Sequence, residues 1–188
     1  LGAWVARFLH INQCLARIFD PNKPDSEWHR LSGIRADATE WVAGDVSKKS
    51  ELDDAIRDCE GVINLAGLLT PQCSQNPVRG AEVNLIGAIN VFEGALKHGL
   101  KKVAYTSSIG VYGPDHAEFP EPTTHYGSFK LASEGVARAF YEEHGISSLG
   151  VRPFVVYGPG REIGGSAGPS IVCRMAAQSQ AYQSLSPG

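Results

Sequence analysis

Two hydrophobic periods alternate along this chain, and the alternation limits its fold more than any other feature. Short apolar runs suited to buried strands lie at residues 14–19, 41–43, 62–66, 103–107 and 149–151. Stretches of helical period lie around them. Residues 2–10 place Val5, Phe8 and Leu9 on one face, and residues 50–59 align Leu52, Ala55 and Ile56 behind a capping Ser50. Residues 77–98 repeat Val83, Ile86, Val91 and Leu96 after Pro77, and residues 126–144 carry Leu131, Val136, Ala139 and Phe140. Strands that alternate with helices cannot be joined by tight turns, so they pair in parallel and the crossover helices cover both faces. The sequence therefore predicts an α/β fold with a doubly wound parallel sheet. Such sheets bind ligands at the carboxyl ends of their strands, beside the point where the strand order reverses. The residues that follow each strand are where chemistry is to be sought.

Composition excludes several classes. At 188 residues the chain can bury one core of ordinary size, and a formal charge of −3 gives no electrostatic basis for binding nucleic acid or an anionic membrane. No apolar run approaches the roughly 20 residues of a membrane helix, and the start lacks the pattern of a signal peptide. Cys14, Cys59, Cys73 and Cys173 are far apart, without a metal-like spacing, and read as small reduced thiols, buried or half-buried. A cytoplasmic protein with no metal site and no membrane or nucleic-acid partner is expected. The glycines and prolines after Tyr157 predict a long loop and a domain edge, with residues 1–160 on one side and 161–188 on the other.

The strongest chemical signal is Tyr126-Gly-Ser-Phe-Lys130 at the start of a predicted helix. A spacing of four puts the phenol and the ammonium on one face, a turn apart. A free tyrosine, with a pKa of about 10, is a poor base at neutral pH. A neighbouring cation favours its phenolate, so the pair makes a usable acid/base. Upstream, Val103-Ala-Tyr-Thr-Ser-Ser108 is a strand ending in hydroxyls, able to hold a substrate oxygen or simply to cap the next turn.

Taken in register, Ser107-Ser-Ile-Gly-Val-Tyr-Gly113, Tyr126-x-x-x-Lys130 and Arg152-Pro-Phe-Val-Val-Tyr-Gly-Pro-Gly160 resemble the NAD-dependent epimerase/dehydratase family of extended short-chain dehydrogenases. Gly44-Asp-Val46, Val62-Ile-Asn-Leu-Ala-Gly67 and Glu82-Val-Asn-Leu-Ile-Gly87 match in the same order. The resemblance implies a Rossmann fold, NAD as cofactor, and a small C-terminal substrate domain largely absent from these 188 residues. It makes Tyr126 the proton carrier, Lys130 the holder of the nicotinamide ribose and Ser108 the holder of the substrate oxygen. Asp20, 18 positions after Gly2, would accept the adenosine ribose hydroxyls and repel a 2′-phosphate. Asp45 and Val46 would line the adenine, while Leu65, Ala66 and Gly67 would let the backbone approach the dinucleotide. Asn84 and Asn90 read instead as packing amides.

The family opens with a strand and G-x-x-G-x-x-G, of which only Gly2 is matched by Leu1-Gly-Ala-Trp4. The polypeptide is therefore expected to extend beyond Leu1 and Gly188, with further residues between Gly113 and Tyr126. Arg161 is a candidate grip for a substrate carboxylate or phosphate. The helices 77–98 and 126–144 are expected to pack side by side and to form a homodimer interface. The implied function is an NAD-dependent epimerase or dehydrogenase acting on a sugar, nucleotide sugar or sugar acid. The alternative is a non-catalytic dinucleotide sensor on the same fold.

Overall fold

The apolar runs form parallel strands, with some shift at their ends. β1 (Arg17–Asp20) pairs with β2 (Glu40–Ala43), setting Ile18 opposite Trp41. β3 (Val62–Asn64), β4 (Lys102–Thr106) and β5 (Ser147–Val151) form a second parallel ladder with β4 in the middle. The expected parallel sheet is thus present as two ladders. Among the described residues no strand pairs with the second edge of β1 or of β3. β1 starts three residues later than expected because Leu15 is fully exposed, whereas Arg17 is fastened. Its guanidinium donates to Glu40 at 2.6 Å and to the carbonyls of Ala55 and Arg57 at 3.0 and 2.8 Å.

The computed structural model describes residues 1–114, 118–162 and 166–183. They fall into two compact units: residues 17–23 with 39–153, and residues 1–16 with 24–38 and the chain from Phe154 onward. Both ladders belong to the first unit. There α3 (Lys49–Ile56) buries Leu52, Ala55 and Ile56, the expected stripe. The expected helix 77–98 is instead three pieces: α5 (Pro77–Ala81), a wide π-type turn (Glu82–Ile86) and α6 (Gly87–Lys97). α4 (Thr70–Gln75), not expected, precedes them, with Pro71 in the first turn where its missing N–H costs nothing.

α7 (His125–His144) packs against α6 as expected, and Phe140 stacks on Phe92 at 5.2 Å while Tyr105 of β4 meets Phe92 edge-on at 6.0 Å. Such aromatic contacts add to the area they bury. The buried stripe of α7 is Gly127, Lys130, Ser133 and Ala137, with Ala139 exposed. Of the expected stripe, Val136 and Phe140 pack against the core and Leu131 is half-buried, while the most buried positions include a lysine and a serine that the apolar pattern does not mark.

In the second unit α1 (Gly2–Ile11) packs on α2 (Ser26–Ser32), a short helix capped by the Asp25 carboxylate. Contrary to expectation, Phe8 is 67% exposed and the buried positions of α1 are Ala3 and Ala6, small residues that let the helices approach. The expected loop after Tyr157 contains α8 (Gly168–Ala177), started by Pro169 in its first turn and tied back by Ser170 Oγ, which accepts from the Gly158 amide at 2.9 Å. Of the cysteines, Cys14 and Cys173 are exposed, Cys59 is half-buried and Cys73 is buried, and all four are free. No described helix is long and apolar enough to cross a membrane.

Candidate active site

The site is built where β4 ends. Ser108 leaves the strand extended and its Oγ accepts from the Gly110 amide at 3.0 Å, capping a single 3-10 turn, Ile109–Val111. The capping role and a free hydroxyl proton coexist, because accepting that bond uses only a lone pair. α7 begins beside this turn, with Thr124 Oγ accepting from the Gly127 amide at 3.0 Å. Tyr126 therefore sits in the first turn of α7.

Two glycines decide how near the serine and the tyrosine stand. A Cβ on Gly127 would lie 2.0 Å from the Gly110 carbonyl oxygen, so only a glycine allows the helix this close to the turn. A Cβ on Gly110 would be 3.3 Å from Ser108 Oγ and 3.6 Å from the Tyr126 ring. The hydroxyl and the phenol ring thus flank one backbone position.

Lys130 follows one helical turn later, is only 5% exposed, and donates from Nζ to the Thr106 carbonyl at 2.8 Å. Its Nζ lies 5.9 Å from the centre of the Tyr126 ring. Burial lowers the lysine's pKa from its ordinary value to about 8, against a small opposing effect of Cys73. The loop after β3 runs past this ammonium. A Cβ on Gly67 would come within 2.7 Å of Asn84 Oδ1 and 3.3 Å of Lys130 Nζ. Asn84 Oδ1 is itself buried without a hydrogen-bond partner among the described residues. Gly67, the Lys130 ammonium and an orphaned Asn84 oxygen thus meet closely, and a side chain at Gly67 would not fit between them.

Asn84 owes its place to the π-type turn. Its Nδ2 donates to the carbonyls of Leu68 and Gly80, each at 3.1 Å, and its own carbonyl takes the Ser133 hydroxyl at 3.0 Å. It packs, as expected, but its free oxygen also faces Gly67. Such bulges recur at functional sites, and nothing in a helical hydrophobic pattern marks them. Asn90 donates to the Val46 carbonyl at 2.9 Å.

The other candidates are placed as follows. Asp45 follows β2, accepts from the Ser47 amide at 2.9 Å and is ion-paired with Arg79. Burial raises its pKa, but the bonds from Ser47 and Arg79 outweigh this and hold the carboxyl below its ordinary value. Val46 is buried in the core. Asp20 ends β1 exposed, its Oδ1 accepting from the Asn22 amide at 2.9 Å. Leu65 and Ala66 are half-buried in the loop after β3, and the Ala66 amide donates to Asn64 Oδ1 at 3.1 Å.

Gly2 and Arg161 belong to the other unit. Gly2 is exposed at the start of α1. Arg161 Nη2 donates to Ser166 Oγ at 3.0 Å, while its Nε is buried with no partner among the described residues. Sequence reasoning missed Gly127, Glu134, Arg152 and Arg79. Gly127 and Arg152 lay inside motifs already singled out, without a role, and Glu134 follows Lys130 by four residues. Among the described residues no cluster of acidic, histidine and cysteine side chains could hold a metal ion.

A hydroxyl, a phenol and a buried ammonium thus gather near the end of β4 on a parallel α/β scaffold. The profile described as "NAD dependent epimerase/dehydratase family" matches residues 1–186, and the chain belongs to that family.

Among curated relatives, it is 33% identical over 122 residues to an Escherichia coli O157:H7 N-acetyl-alpha-D-glucosaminyl-diphospho-ditrans,octacis-undecaprenol 4-epimerase, covering 61% of this chain and 37% of the relative. It is 28% identical to the uronate dehydrogenase of Pseudomonas putida (60% of this chain, 44% of the relative). It is 30% identical to the NAD-dependent glucose-6-phosphate dehydrogenase of Haloferax volcanii (62% and 51%). The UDP-glucose 4-epimerase of Thermotoga maritima superposes with a TM-score of 0.79 at 22% identity, covering 95% of this chain and 60% of that one. An L-threonine dehydrogenase from Clostridium difficile gives 0.83 at 19%, covering 97% and 59%. These likenesses in structure establish the Rossmann-like fold. The chain spans about 60% of those structures and between 37% and 51% of the curated relatives just named.

Proposed function

We propose that the protein is an NAD-dependent epimerase or dehydrogenase acting on a sugar, nucleotide sugar or sugar acid, with Ser108, Tyr126 and Lys130 as its reacting groups. The observation that carries this reading is the flanking of Gly110 by Ser108 Oγ and the Tyr126 ring, with Lys130 Nζ 5.9 Å from that ring's centre. The chemistry that NAD would supply here is the acceptance or return of a hydride.

The rest belongs to the chain. Ser108 Oγ holds the substrate oxygen by donating its proton, which the bond accepted from the Gly110 amide leaves free. Tyr126 takes or gives the proton of the substrate hydroxyl at its own phenolic oxygen. Lys130 holds the nicotinamide ribose and, when protonated, biases Tyr126 toward phenolate. Gly67, which carries no side chain beside Lys130, lets the cofactor approach the backbone there. Gly2, Asp20, Asp45, Val46, Leu65 and Ala66 complete the cofactor contacts, Asp20 repelling the 2′-phosphate of NADP.

Arg161 serves a substrate carboxylate or phosphate from the start of a substrate region at 161–188. In the working state two copies pair through α6 and α7 in the cytoplasm. The exposed face of α7, Ser128, Ala132, Gly135 and Ala139, is small enough for a second helix to approach closely.

The test is NADH absorbance for dehydrogenation, together with chromatographic separation of epimers for epimerisation, which leaves no net NADH, with NAD or NADP against a panel of sugars, uronic acids and nucleotide sugars. A preference for NAD is expected, and Tyr126→Phe should lose about 10²–10⁴-fold in turnover while keeping NAD affinity, because only the proton carrier is removed. Wild-type turnover in Tyr126→Phe would show that the catalytic assignment is wrong. Tight NAD binding without turnover of any substrate would favour a sensor.

A further inference from the structure

We infer that Glu134 and Arg152 are positioning residues that fix the Ser108 segment against α7, an inference that rests on the reading of Ser108 and Tyr126 given above. Tyr126, Lys130 and Glu134 follow one another at intervals of four along α7, so Glu134 continues the face that carries the proposed site. Its carboxylate accepts from Arg152 through both oxygens, from Nε at 2.8 Å and from Nη2 at 2.6 Å. It also accepts the hydroxyl of Ser107, the neighbour of Ser108. The remaining arm of Arg152 donates to the Tyr112 hydroxyl, and its guanidinium lies over the Tyr112 ring, 5.0 Å from the centre.

The segment 107–112 is therefore held at both ends by one ion pair, with Ser108 between. Backbone bonds supply the base of the same frame. The Ser107 amide donates to the Val151 carbonyl at 2.7 Å and the Ile109 amide to the Pro153 carbonyl at 3.1 Å. Arg152 follows β5 directly, so the pair links the end of β4, the end of β5 and α7.

The geometry also separates this role from anion binding. A guanidinium that spends two arms on one carboxylate and a third on a phenol has little left for a substrate phosphate. Neither side chain bonds the Ser108 hydroxyl, which stays directed by the Gly110 amide. What the pair controls is where the turn sits. Displacements of about 1 Å in reacting groups can cost about 100-fold in rate.

The test uses the intact protein. Glu134→Gln keeps the shape of the side chain and removes its charge, and Arg152→Lys keeps a charge but loses the two-armed fork. Both are expected to lower kcat about 10- to 100-fold, Glu134→Gln more, with KM and Kd for NAD within twofold of wild type. Rates are counted per NAD-binding molecule, so a merely less stable protein would show no change. Glu134→Asp, which retains the carboxylate, should recover part of the loss.

Hydrogen exchange at the Ser107 and Ile109 amides gives a readout without turnover, and should accelerate at least about tenfold in Glu134→Gln. Unchanged exchange, or kcat within twofold of wild type while Tyr126→Phe is inactive, overturns the positioning role. If Tyr126→Phe is fully active, the reading of the site fails instead, and the exchange result still decides the role of the pair.

Discussion

Lys130 shows most clearly how one residue's environment sets its behaviour. It is 5% exposed, one of its protons is committed to the Thr106 carbonyl, and burial lowers its pKa to about 8. In the unfolded chain the same lysine holds its proton to about pH 10.4. Between those values the unfolded state binds more protons, so this group makes the folded protein more stable as pH rises. Below about pH 8 the full cost of keeping the charge buried is present, on the order of a few kcal/mol. Urea unfolding at pH 7.5 and pH 10 should show wild-type stability falling less over this interval than that of Lys130→Met, which lacks the gain. The same variant should lose turnover. Equal pH dependence in the two proteins would mean that the lysine is hydrated and not buried. Tyr126 and Lys130 were readable from their spacing. That Lys130 points inward was not, because a lysine in a helical pattern ordinarily marks a solvated face.

Among the elements, the contact between the 3-10 turn after β4 and the first turn of α7 sets the site's dimensions. It depends on Gly127, where a Cβ would stand 2.0 Å from the Gly110 oxygen. Both partners are backbone, so neither can rotate out of the way. Gly127→Ala should force the helix from the turn, destabilising the protein by about 1–3 kcal/mol, the usual cost of overpacking. It should also lower turnover, since Ser108 and Tyr126 separate with the two elements. Thermal unfolding and kcat measured together check this. A variant with both values unchanged would show that α7 is free to shift without consequence. The helix breaks at 82–86 belong to the same scale. The π-type turn that orients Asn84 interrupts what periodicity alone reads as one helix.

Across the whole molecule, the expectation that remains is pairing of two copies through α6 and α7. Ile86 and Leu96 are 43% and 40% exposed, and the outer face of α7 is small. Burying such a surface against its own copy would give an isologous, two-fold interface. Light scattering over micromolar concentrations should return a dimer, and a large residue at Ala132, such as Ala132→Arg, should yield monomer. A monomer throughout for the unmodified protein would remove this face as an interface.

The alternation of strand and helix periods, by itself, determined the parallel α/β class, because parallel strands require crossovers and buried strands require continuous apolar runs. Local chemistry likewise placed Tyr126 and Lys130 one turn apart on a helix start, as a helix of fixed pitch must. Tertiary structure decided the rest. The Gly110–Gly127 approach joins residues 17 positions apart, and the Arg152–Glu134 pair joins residues 18 apart. Neither leaves a periodic trace in the sequence, because periodicity records which face of an element is covered and not what covers it. α2 and α8 were missed because short helices are held by caps and by packing of small residues, and their hydrophobic signal is weak. The inward face of α1, and the most buried positions of α7, were missed for a related reason. Burial there is set by how closely another backbone comes, which selects alanine, glycine, serine and one lysine over larger apolar side chains.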